Sequence, residues 1–272
     1  MKKVFVSIAT VAILVFGSTT VSSCQKENIN QMEQTSTKSL TANNSAEIVD
    51  GLSYNDVMVE CAMHNEYLDD IFDIFNFGAS NYDDELNRCI NALHLDADID
   101  LSINSFNDLI NLIHNSPNIN NHDRVAELIS ALDERIFQNE SFNYVANIID
   151  SIQQLALSEL IGTDRITVFG YSEVLRNSTY YWMPTNGGGY GKGFEILSMV
   201  NGMNNRASET GKDKTIQEIV GEVAITDAAW MAGGCIATAI GGAINPALAL
   251  PLLKQAVIVA AKRSANAALR NS

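Results

Sequence analysis

Cys61 and His64 stand three residues apart, and Cys89 and His94 follow within one further segment, so two thiols and two imidazoles invite a zinc site. The spacing argues against it. If both segments are helical, Cys61 and His64 can face one ion, but residues five apart, like Cys89 and His94, diverge by about 140° around the axis. A histidine on an apolar helix stripe is more ordinarily a core residue. Next comes Asp96, Asp98 and Asp100 at alternate positions, the opening of a calcium loop. The sharp-turn glycine of such a loop is replaced by Leu101, and its closing glutamate by Asn107, with Asp108 one residue late. The three aspartates are therefore weak calcium candidates, the alternative being an acidic loop whose Asn104 or Ser105 caps the next helix.

A third group surrounds a glycine-dense stretch, Asn186-Gly187-Gly188-Gly189-Tyr190-Gly191-Lys192-Gly193, which reads as a mobile loop. As a phosphate-binding loop it fails at both ends, with Asn186 for the leading glycine and Gly193 where Ser or Thr should follow the lysine. Tyr180, Tyr181, Trp182 and Tyr190 around it are a candidate aromatic platform for a protein, peptide or glycan ligand, the competing assignment being core. No catalytic set converges in the sequence, and no cofactor is implied.

Five apolar stripes at steps of three and four would position these groups. They are Val57-Cys61-His64-Leu68-Ile71-Phe72-Phe75, Leu86-Cys89-Ile90-Leu93, Phe106-Leu109-Ile110-Ile113, Val125-Leu128-Ile129-Leu132-Ile136 and Val145-Ile148-Ile149-Ile152-Leu155. Ser53 with Asp56 resembles a capping arrangement at the first. Pro117 separates the third from the fourth, and Gly162 follows the fifth. Residues 47–162 thus read as an acidic helical bundle with antiparallel neighbours. Arg165 to Met183 shows no clear period and helical material resumes beyond the glycine-dense loop, so residues 163–213 are expected to be an aromatic and glycine-rich connection. In 214–272, the charge-free run Ala228 to Leu253 carries Gly233, Ala237 and Gly241, and Gly234, Thr238 and Gly242, at intervals of four. Such ridges let helices approach closely, and Pro246 and Pro251 interrupt the run, so a buried small-residue-rich helical hairpin is favoured over a membrane-active segment. The expected fold class is mainly α, a helical bundle with that hairpin at its C-terminus.

The formal charge is −15, and between Ser45 and Asp164 there are 23 acidic residues against Arg88, Arg124 and Arg135, with no lysine. That surface repels phosphate backbones, which excludes nucleic acid as a natural partner. Cys24 aside, three cysteines remain, an odd number: Cys61 and Cys89 either bridge or stay buried thiols, and Cys235 sits in the apolar run as a buried thiol.

The N-terminus supplies an address. Lys2 and Lys3, the uncharged run Val4 to Phe16 and the small residues before Cys24 read as a secretory signal over 1–23. Ser22-Ser23-Cys24 resembles the lipobox of bacterial lipoproteins, with Val21 where leucine is usual, and Gln25-Lys26-Glu27 resembles the short charged tag of surface-exposed lipoproteins of the Bacteroidota. The resemblance implies acylation at Cys24, a membrane partner held through that lipid, and a place on the outer membrane at the cell surface. Residues 24–46, rich in Gln, Asn, Ser and Thr, would be the tether. His64-Asn65-Glu66-Tyr67-Leu68-Asp69 and the later Asp227 before a Gly/Ala-rich stretch resemble a pattern in uncharacterised exported proteins of the Bacteroidota, which carries no activity with it. His64 and Leu68 would share the apolar face, and Asn65 and Asp69 the next, where they can fix a loop or the tail. The expectation is a non-catalytic, lipid-anchored binding or structural protein, the alternative a membrane-active, toxin-like one that inserts its C-terminal apolar segment.

Overall fold

The computed structural model describes residues 48–49, 51–95, 97, 101, 103–136, 141–204 and 216–270. Cys24, the leader and tether, the aspartates Asp96, Asp98 and Asp100, and residues 205–213 lie outside the described residues. The fold is mainly α. A short antiparallel ribbon of β1 (Ile48–Val49) and β2 (Leu52–Ser53), with Ile48 opposite Ser53, precedes nine helices among the described residues. These are α1 (Tyr54–Ile74), α2 (Tyr82–Ala92), α3 (Phe106–Asn115), α4 (His122–Ile136), α5 (Phe142–Glu159), α6 (Gly162–Trp182), α7 (Lys192–Asn204), α8 (Ile216–Ile244) and α9 (Ala249–Arg270).

Local chemistry sets several starts. At α1 the Ser53 hydroxyl accepts from the Asp56 amide at 3.2 Å and the Asp56 carboxylate accepts from the Ser53 amide at 2.8 Å, a reciprocal cap. Ser105 begins α3, accepting from the Asp108 amide at 3.3 Å, and Asn81 begins α2 in the same way.

The helices stack in three layers. One core cluster joins α1, α2 and α7, and a second joins α3, α4 and α5; α6, α8 and α9 contribute side chains to both, α9 to the second through Val259 and Ala260. The stripes of α1 to α4 point inward. On α5, Leu155 turns to solvent while Gln153 and Ala156 go inside, because the Gln153 amide finds buried partners in Ser172 and Glu173 on α6.

The main departure from the expected organisation is α6. The stretch read as a connection opens with a 21-residue helix, and every residue from Ile166 to Thr179 is buried. With α1, α4, α5 and α8 packed around it, no side of this helix faces water, so it has no amphipathic period to betray it. The glycine-dense segment is likewise folded down. Tyr190 N donates to Tyr180 O at 2.7 Å and Gly191 N to Met183 O at 3.1 Å, while Gly188 and Gly191 both take φ +88°, where a side chain would be strained.

The C-terminal hairpin packs as core. Glu218–Ile244 is long and apolar enough to cross a membrane, with mean hydropathy 1.5, yet 83% of its most apolar window is buried in the fold. A Cβ at Gly234 would collide with Ala256 of α9, one at Gly241 with Leu252, and one at Gly233 with Ile103 beside α3. Gly170 of α6 gives the same close seat to Cys235. The small residues therefore let α8 approach on three sides.

Candidate functional site

The polar group with the most chemical character lies where α1, α6, α8 and α9 meet. His64 and Asp227 are both 0% exposed, with Nε2 3.3 Å from Asp227 Oδ2. Ser178 Oγ donates to the same Oδ2 at 2.5 Å, and Ser264 stands beside the carboxylate. Trp182 Nε1 in turn donates to Ser264 Oγ at 3.0 Å. On the other side of the imidazole, Asn65 Nδ2 donates to the carbonyl of Asn177 at 2.9 Å, which aims Asn65 Oδ1 at His64 Nδ1, 3.0 Å away. Asn177 Nδ2 closes the ring by donating to the Cys61 carbonyl at 3.2 Å.

These bonds assign the proton. Asn65 Oδ1 can only accept, so His64 Nδ1 carries a hydrogen, and Nε2 faces the Asp227 carboxyl without a formed hydrogen bond. Burial raises the Asp227 carboxyl, against the pull of His64, Ser178 and Ser264. The order differs from a nucleophilic triad: Ser178 bonds the carboxylate and not the imidazole, so His64 is not placed to take its proton. What the arrangement does is hold four helices together by one buried polar clasp, in which His64 Nε2 and Asp227 Oδ1 have no hydrogen-bond partner among the described residues.

A second buried network joins α5 to α6. Gln153 Nε2 donates to Glu173 Oε1 at 2.5 Å, Arg176 Nη2 reaches Asp150 at 2.6 Å, and Arg176 Nε lies 3.7 Å from Glu173. Burial raises Glu173, offset by Arg176 and Gln153.

Other candidates separate. Cys61, Cys89 and Cys235 are buried free thiols, and the Cys61–Cys89 bridge is not formed. The Cys89 thiol faces Glu85 of its own helix at 4.0 Å, while Cys61 has Cys235 as its thiol neighbour; burial pushes Cys235 up to about 12. His94 is exposed at φ 52°, away from the buried His64. Among the described residues no three His, Cys, Asp or Glu side chains gather to hold a metal ion. Leu68 is core, and Asp69, one turn beyond Asn65, lies 2.8 Å from Lys192 Nζ, with Asp73 at 2.9 Å on the same ammonium. That pair of carboxylates pins the start of α7 to α1.

The aromatic platform does not assemble as one surface. Tyr181 and Trp182 are fully buried, and Gly193 lies flat against them, so these two are core. Tyr180 is half-buried and stacks on Tyr190 at 6.1 Å, with Phe142 tilted against it at 5.0 Å; Tyr190 is exposed. Asn177, Ser178, Glu173 and Ser264 are the functional-looking residues that sequence reasoning missed. The available signal was the run Ser172-Glu173 and Arg176-Asn177-Ser178 inside an otherwise apolar segment, since buried polar groups require partners. Comparison of the chain with protein-family models, with curated proteins and with solved structures gives no match.

Proposed function

We propose that the protein is exported, anchored by lipid at Cys24 on the outer membrane, and works at the cell surface by binding and not by catalysis. The observation that carries this reading is the leader ending in Ser22-Ser23-Cys24, upstream of a body whose most apolar helix is engaged in its own core. Attachment then falls to the acyl chains, which contribute about 0.8 kcal/mol per buried methylene. The acid–base pair His64–Asp227 is sealed from solvent, which favours a structural role for it. The half-exposed Tyr180–Tyr190 stack is the surface best suited to a protein, peptide or glycan ligand. Labelling of the producing cell with a fatty-acid precursor tests the anchor: label on the wild-type chain and none on Cys24→Ser is expected, and an unlabelled wild type refutes it.

The membrane-active reading keeps one specific support, the length and hydropathy of Glu218–Ile244. It requires dye release from vesicles by the folded chain; vesicles that stay sealed dismiss it.

A further inference from the structure

The turn between α8 and α9 carries the most exposed large apolar side chain among the described residues. Ile244 is 82% exposed and Leu250 43%, and the segment from Ala243 to Pro251 holds no charge. Its backbone is also largely self-satisfied. Asn245 N donates to Gly241 O at 2.8 Å, Leu248 N to Asn245 O at 2.9 Å and Ala247 N to the Asn245 side chain at 3.2 Å; Pro246 and Pro251 have no N–H to satisfy. A turn of this kind leaves water at small cost, because the groups that lose hydration already have partners.

Helix directions fix what surrounds it. Gly170 meets Cys235 and Ser178 meets Asp227, so α6 and α8 are antiparallel, and Ile161, 67% exposed just before α6, stands at the same end as Ile244. Gly51, in the turn of the β1–β2 ribbon, abuts Pro246 so closely that a Cβ there would strike its carbonyl. The ribbon that opens the described residues therefore lies beside this tip.

We infer that the α8–α9 tip, with Ile244 and Leu250, is a bilayer-contact site that dips into the lipid surface holding the anchor, an inference that rests on the lipid-anchor reading. Its partner is a zwitterionic surface, because a chain of charge −15 is repelled by anionic headgroups. Contact at the tip would fix the orientation of the bundle, with the α1–α2 end and the Tyr180–Tyr190 stack pointing away from the membrane.

The test uses the chain from residue 24 onward with Cys24→Ser and an N-terminal histidine tag, held on phosphatidylcholine vesicles that carry a nickel-chelating lipid. Attachment then does not depend on acylation, so failure at Cys24 leaves this readout intact. Residues 43–272 form a compact unit, and the native thiols Cys61, Cys89 and Cys235 are buried, so an environment-sensitive thiol probe labels Ile244→Cys alone. The expected result is a blue shift and quenching by acyl-chain spin labels at residue 244, and neither at Ser80→Cys. Ser80 is exposed after the far end of α1, which runs parallel to α6, Tyr54 against Phe169 and Phe72 against Trp182. Equal behaviour of the two probes overturns the inference. So does a blue shift at 244 that grows with protein concentration without vesicles, since the occupant is then a second copy.

Discussion

Helices α3, α4 and α5 and helices α6 and α8 are built on opposite plans. The first three are amphipathic: Leu109 and Ile113, or Val125, Leu128, Ile129 and Leu132, face inward and the acidic residues face water. Helices α6 and α8 are wrapped on all sides, with small residues where backbones meet and a polar clasp at His64, Ser178 and Asp227. An amphipathic helix is oriented by the hydrophobic effect, which is non-directional beyond choosing a face. A helix buried all round can slide or rotate without exposing anything, so its register needs groups that tolerate only one partner.

The strongest way to break this contrast is Asp227→Ala, which leaves His64 buried without its carboxylate. The expected loss is about 3–5 kcal/mol in urea unfolding near neutral pH, and a loss below that of a surface cap would show that the clasp does not set register. Its pH dependence sharpens the point. Burial raises the Asp227 carboxyl, so the part of the stability linked to its proton is complete below the unfolded value of about 3.9 and is lost as pH rises through the folded one, while the contacts to Ser178 and His64 remain. Asp227→Asn should flatten that slope.

Gly234→Ala comes next. Its Cβ would collide with Ala256, and overpacking of this kind costs about 1–3 kcal/mol, more than the roughly 1 kcal/mol that alanine adds to helix propensity. A raised melting temperature would mean that α8 and α9 have room to move apart. The smallest effect is expected in the outer layer, where Ser105→Ala removes the α3 cap for about 1 kcal/mol. A loss as large as that of Asp227→Ala would erase the distinction between the layers.

The same division explains what could be read from the sequence. Stripes such as Leu109–Ile113 announce their helices because one side must be polar, and Ser53 with Asp56 marks a start by chemistry that is local. Helix α6 has no side facing water, so Arg165 to Met183 reads as formless, and Tyr181 and Trp182 there are easily taken for a surface. Gln153 and Leu155 exchange roles on α5 because Ser172 and Glu173, distant in sequence, offer the amide its partners. Of the clasp, His64 and Asp227 belong to segments that resemblance singles out, but Ser178, Asn177 and Ser264 join them only through tertiary contact. The thiols of Cys61 and Cys89 face different neighbours for the same reason.

The clasp also bears on the order in which the chain is made. Its bonds join residues 49, 82 and 112 positions apart, so none can close while the intervening helices are missing. Because Asp227 lies C-terminal to both His64 and Ser178, α1 and α6 are synthesised before α8 emerges. The α1 and α6 sides of the cradle for the most apolar helix therefore precede their occupant, while α9, whose Ala256 seats Gly234, follows it.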